Sequence, residues 1–504
     1  MGDRLRIATA LLASALMAAP LWVGRFLPLL DLPQHLALAT VLIRHGDPAW
    51  QLAAYFEPQR GELTPYWAHY MALEGLGRVM SVDAAARVFL TLYVFALPWA
   101  TMALARALGR APSLGLLVIP LALNANLYFG FIAYCWSVVV LLWALALLAR
   151  QLDAPSARRA GGLALLAGVL FFCHVQSFAF LLLAAPVLAF CTEGRARRLL
   201  RAWPLLPATL ILFVPWLYLS TTPRPGADRY FPPLDDPRPK YEATLARLTG
   251  LPDAIAGAYQ DGSDDWILAA WAIAVAAAIV VGRHAETTPV APVLALTGAA
   301  LACYFVLPVS IQGQWNIAER FAWTAALLSP LLARKAPRWA PVATIALAAV
   351  TAGNAAWHHA RFDREAEGFD EALASLPRGA RVMGLIYDSR GAVMQRWPYL
   401  HFEQYAIVRN GGYAAHSFAA NAPLPVGLRP GARVVAQGVW RPDQFRYDAH
   451  GAYFDHFLVR DPGGAHDPRA LFGGAADEVY RGGAWRVYRV YRDRSQLQRM
   501  NRGS

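Results

Sequence analysis

The chain reads as a polytopic α-helical membrane protein with a small soluble α/β domain at its C-terminal end. Three observations predict this. Apolar residues make up 57% of the 504 and charged residues only 16%, whereas soluble chains are about a quarter charged. The deficit is gathered in runs of membrane length. Arginines cluster in the short gaps between those runs, where the positive-inside rule puts them. The net charge of +12 therefore has a topological origin, and no nucleic-acid partner is expected. Cys135, Cys173, Cys191 and Cys303 all fall in apolar runs, so neither a disulfide framework nor a zinc spacing is present.

Arg4 and Arg6 place the N-terminus in the cytoplasm. The apolar run from Ile7 to Val23 reads as an uncleaved first span, because its character continues to Leu30 past the signal-like Ala-Leu-Met-Ala-Ala-Pro. Residues 31–83 then form a long outer loop. Leu36, Leu38, Val41 and Leu42 recur at helical spacing, as do Trp67, Met71 and Leu76. This predicts interfacial helices lying on the bilayer, with Tyr66, Trp67 and Tyr70 at headgroup level.

Further spans follow at Ala86–Leu108, Leu114–Leu123 and Phe131–Leu148. The run from Gly161 to Phe190 is too long for one span and is interrupted at Cys173–Ser177, so it predicts two short spans meeting at an outer turn. Leu205–Leu219 leads to a second outer loop at 221–265. Ile267–Val281, Pro292–Val309, Phe321–Leu332 and Ala340–Ala355 bring the count to about eleven. An odd count leaves every strong arginine cluster inside and the C-terminus outside. The expected membrane is the inner membrane of a bacterial-type cell. Residues 1–356 are the transmembrane part and 357–504 the extracytoplasmic α/β domain. That domain should hold a helix at Phe362–Leu376 and strands at Arg381–Tyr387, Phe454–Val459 and Trp485–Tyr491.

The polar groups at the ends of the apolar runs carry the functional signal, since ionisable residues next to lipid are expensive. Asp31, Gln34 and His35 fall within one turn just beyond the first span. Asp31 fits a chemical role, and it also fits an N-cap before Leu32-Pro33-Gln34. His35, at i+4, orients the carboxylate, contacts an anion or is simply interfacial. Arg320 precedes the apolar Phe321 on the side where positive charge is disfavoured. Its planar fork suits a phosphate, and the competing reading is a structural ion pair with Glu319 or another outer acid. His174 and Gln176, at the break in the 161–190 run, line a wet cavity or join two helices. Asn126, beside Asn124 and Tyr128, contacts substrate or closes a turn. Tyr66 and His69 of the first loop complete the candidates. His45, Asp47, Glu57 and Glu62 could hold a divalent cation, although their spacing matches no ligand motif.

This arrangement resembles the GT-C superfamily of glycosyltransferases, the group holding protein mannosyltransferases and lipid A aminoarabinose transferases. The shared features are a first span, an acid opening a long first outer loop, many further spans and an outer C-terminal domain. The resemblance implies sugar transfer outside the membrane from a lipid-linked (polyprenyl-phosphate) donor to a glycan, lipid or protein acceptor. It implies Asp31 as general base with His35 beside it. Arg320, Glu319, His174, Gln176, Tyr66, His69 and Asn126 would surround the substrates among membrane lipids. The adjacent second acid usual in the family is absent, because Leu32 follows Asp31. A flippase or transporter of lipid-linked glycans, or a non-catalytic assembly factor on the same scaffold, are the competing functions. No inverted repeat stands out, and the polar groups gather on one face, which favours the enzyme.

Overall fold

The computed structural model describes residues 2–191, 194–221, 238–282, 289–311, 314–420, 424–429, 432, 435, 438–447, 451–466 and 476–490. Each of the eleven predicted apolar segments is helical. Among the described residues six helices are long and apolar enough to cross a membrane: Asp3–Trp22, Val82–Ala107, Ile132–Asp153, Arg195–Thr221, Ser263–Gly282 and Ala340–Glu365. The others are shorter, at Pro112–Tyr128, Val175–Phe190 and Ala291–Val306, with Ala157–Cys173 and Glu319–Leu328. The long run at 161–190 breaks at His174, whose backbone is extended (φ −168°, ψ 124°) between two helices. Part of the second outer loop, 222–237, lies outside the described residues, as do Arg283 and Tyr491.

The first outer loop departs from expectation. Its Leu32–Arg44 helix is not laid on a surface; from Leu32 to Leu42 all but His35 are buried. Polar Gln34 is fully enclosed, because the 401–418 segment covers the face that would otherwise meet headgroups and water. Tyr70, expected at headgroup level, is likewise buried and hydrogen-bonded to His35. The loop's short strand β1 (Phe56–Pro58) pairs antiparallel with β4 (Val426–Leu428), which ties it to the C-terminal region.

The C-terminal region begins without a break. The last long helix runs continuously from Ala340 to Glu365, so a boundary at 357 falls inside a helix whose His358 and His359 are buried. The expected helix at Phe362–Leu376 is split instead. Gly368 adopts φ +86°, and a Cβ there would stand 2.7 Å from the Gly482 carbonyl oxygen. Only glycine fits this turn, and a short helix, Phe369–Ala374, follows it. Beyond lies a five-stranded mixed sheet of order β3-β2-β5-β7-β6. β2 (Arg381–Ile386) pairs parallel with β3 (Tyr413–Ala414) and with β5 (His456–Arg460). β7 (Trp485–Val490) runs antiparallel between β5 and β6 (Ala476–Gly482).

Sheet and bundle share one core. Phe26, just past the first span, packs its ring on Phe369 at 5.2 Å, Tyr405 at 5.1 Å and Phe402 at 5.7 Å. Arg25 pairs with Asp363 and Asp370, and Arg409 with Asp83. Aromatic contacts of this kind are each worth about 0.5–1.5 kcal/mol beyond the area they bury. They hold the 401–418 segment directly over Asp31.

Candidate active site

Asp31 is held by its backbone. Its N–H donates to the Phe129 carbonyl at 3.2 Å, and the Leu30 N–H donates to the Tyr128 carbonyl at 3.0 Å. The close approach requires Gly130, at φ +81°, because a Cβ there would lie 2.5 Å from the Asp31 nitrogen. The Asp31 carbonyl accepts from the His35 N–H, but the side chain makes no capping hydrogen bond. Pro33 removes one of the N–H groups that a cap would serve. The carboxylate is therefore not spent on its own helix. Burial pushes it up to about 7, and the Arg320 charge pulls against that rise.

Arg320 supplies the opposite charge. It is 8% exposed, and its Nη1 donates to His174 Nε2 at 3.2 Å and to Gln176 Oε1 at 3.1 Å. Nη2 reaches the Trp315 carbonyl at 3.3 Å, and the guanidinium lies 4.2 Å from the Phe131 ring centroid. All of these partners are neutral. Among the described residues Arg320 forms no ion pair, and its Nε has no hydrogen-bond partner. A buried cation satisfied only by neutral acceptors is unusual, since buried charges are ordinarily paired. The expected alternative, an ion pair with Glu319, is not formed. Glu319 shares the helix turn and feels the charges of Glu242, Arg247 and Arg320, but it makes no salt bridge with Arg320, and its Oε2 has no hydrogen-bond partner.

Through these bonds His174 and Gln176 join two helices and hold Arg320 in place. Gln176 also donates to the Ile317 carbonyl. The Tyr66 ring packs edge-on against His174 at 5.4 Å and lies within reach of the Arg320 charge. His69 packs against Tyr70 with the two rings tilted at 4.0 Å and meets the His35 ring edge-on at 5.1 Å. Neither of its ring nitrogens makes a well-formed hydrogen bond, the Tyr66 backbone being its polar neighbour. His35 does not orient Asp31. Its Nδ1 is engaged with the Tyr70 hydroxyl at 2.9 Å, the Gly130 backbone is its other polar neighbour, and burial pulls it down to about 4.

Asn126 sits in the turn that carries Tyr128 and Gly130. Its Nδ2 is buried without a partner, whereas Asn124 next to it is spent on capping that turn. The four groups considered for a cation are not brought together. His45 contacts the Phe56 carbonyl and Asp47 caps the Ala49 N–H. Among the described residues no cluster of three or more His, Cys, Asp or Glu has the spacing to hold a metal.

One residue of the site was not anticipated. His401 Nε2 stands 3.6 Å from Asp31 Oδ1, the imidazole nearest the carboxylate. It enters from the C-terminal region, where nothing in the sequence marks it.

No protein-family model matches the chain, and no curated protein sequence does. Solved structures do match it. ArnT from Cupriavidus metallidurans, bound to undecaprenyl phosphate, superimposes with a TM-score of 0.56 at 13% identity, over 96% of this chain and 97% of that one. The arabinofuranosyltransferase AftD from mycobacteria superimposes with a TM-score of 0.55 at 14% identity, over 98% of this chain. The chain spans 42% of the length of AftD. The likeness shows that the chain shares the fold of these two proteins; the sequence resemblance anticipated a fold of the GT-C type.

Proposed function

We propose that the protein is a membrane glycosyltransferase that takes a sugar from a polyprenyl-phosphate carrier and passes it to an acceptor hydroxyl on the extracytoplasmic face. One observation carries the reading. A carboxylate free of structural duties and a guanidinium without an acidic partner are buried together under the outer layer, close enough to feel each other's charge. Transfer needs one group of each kind. The acceptor O–H loses its proton to Asp31 as its oxygen bonds to the anomeric carbon. The bond from that carbon to the phosphate oxygen breaks, and the electron pair leaves with the lipid phosphate, whose charge Arg320 receives. A carboxyl near 7 suits this role, because a base works best when its proton affinity lies near the working pH.

The fold's likeness to ArnT, solved with undecaprenyl phosphate, supports a lipid-phosphate donor. His69 and Asn126 carry buried, unpartnered polar atoms that are proposed as substrate contacts, together with Tyr66. A transporter would need ionisable groups along a path through the bilayer, and this cluster is confined to the loop side. The test is sugar transfer from polyprenyl-phosphate donors in nanodiscs, comparing the parent with Asp31→Asn. The variant is expected to bind donor and transfer about 10²–10⁴-fold more slowly. Transfer at the parent's rate would remove Asp31 as the base.

A further inference from the structure

Gln34 and His401 come from opposite ends of the chain, 367 residues apart, and meet over Asp31. The Gln34 amide has its orientation fixed by two backbone groups. Its Oε1 accepts from the Phe418 N–H at 2.8 Å, and its Nε2 donates to the His416 carbonyl at 2.8 Å. A primary amide has a second N–H, and this one is aimed at His401 Nδ1, 3.1 Å away. His401 Nδ1 is therefore an acceptor. A neutral imidazole carries one proton, so it must sit on Nε2, the nitrogen facing Asp31. The ring is kept neutral by burial, which pulls it down to about 3. The loop that supplies the backbone partners holds His416 at φ +59°, a conformation that a non-glycine residue adopts only when its surroundings impose it.

We propose that His401 is a positioning residue: Gln34 fixes its tautomer, and its Nε2–H orients the Asp31 carboxylate for proton abstraction. The inference rests on the reading of Asp31 as the base. At 3.6 Å the two groups stand just beyond hydrogen-bond distance in the unliganded site, where the Nε2–H acts on the carboxylate as a nearby dipole, and the contact closes to a hydrogen bond when substrate binds. A consequence is that the 401–418 segment both roofs the site and completes it. Covering Gln34 and directing the N–H at Asp31 are one docking event.

The test is an infrared pH titration of the Asp31 carboxyl in the full-length protein in detergent, with Asp31→Asn subtracted to isolate its signal. It reads the His401–Asp31 coupling without needing turnover, so it stands apart from the activity test of the base. The other groups facing Asp31 are Arg320 and Tyr70, with His35 on its own helix, and none is altered. His401→Phe removes the donor, so the midpoint should rise by about one pH unit. His401→Gln keeps an amide N–H near the Nε2 position and should return most of it. If His401→Phe does not fold, Gln34→Leu frees the tautomer and should raise the midpoint part of the way. A midpoint unmoved in a folded His401→Phe or Gln34→Leu protein overturns the inference. Loss of transfer with an unmoved midpoint would likewise assign His401 a purely structural role.

Discussion

Asp31→Asn should make the protein more stable as well as less active, and the gain should depend on pH. The carboxyl ordinarily titrates near 3.8 and is pushed up to about 7 by burial. Between those values Asp31 holds its proton more in the folded state than in the unfolded state, so its contribution to stability falls as pH rises through the window and stays low above it. At about 1.36 kcal/mol per pH unit the displacement amounts to ~4 kcal/mol at most. The side chain is 14% exposed, so solvent screening removes only part of this. Asn carries no charge to desolvate, and above pH 7 the variant should exceed the parent by up to that amount, a few degrees in thermal midpoint. Below about pH 4 the two should converge. The assay is thermal unfolding in detergent from pH 4 to 8. A variant less stable than the parent at pH 8, or a difference between variant and parent that does not grow between pH 4 and 7, would refute the claim that Asp31 is held at a cost for function.

Other outcomes follow from the same geometry. Arg320→Lys replaces a planar fork with a point charge, so binding of undecaprenyl phosphate, followed by calorimetry in detergent, should weaken about tenfold or more; unchanged affinity would remove Arg320 as the clamp. Gly130→Ala forces a Cβ to within 2.5 Å of the Asp31 nitrogen from a left-handed backbone. It should lower both the thermal midpoint and transfer, by at least the ~1–2 kcal/mol of the left-handed penalty in stability. For topology, reporter fusions after Arg201 should read cytoplasmic and fusions after Gly379 external; an internal C-terminal region would place the site on the wrong face for the proposed reaction.

Much of this site was legible because lipid makes polarity conspicuous. Asp31, His174, Gln176 and Arg320 each interrupt or border an apolar run, where an unneeded polar group is expensive, and the structure groups all four around one cluster. His401 carried no such mark. It lies in a polar stretch where a histidine is ordinary, and its partners Gln34 and Asp31 are distant in sequence. The burial of the Leu32–Arg44 helix escaped for a related reason. Its periodicity is that of an amphipathic surface helix, and the layer covering its polar side comes from β4 and the 401–418 segment. Hydropathy placed the end of the last span at Ala355, but a helix ends where its backbone partners run out, here past Glu365 before Gly368.

The most direct test of the account is a structure of the full-length protein with undecaprenyl phosphate bound. The phosphate oxygens should lie about 2.7–2.9 Å from the Arg320 guanidinium, on the side facing Asp31. A phosphate seated elsewhere, with Arg320 still enclosed by His174, Gln176 and the Trp315 carbonyl, would contradict the account.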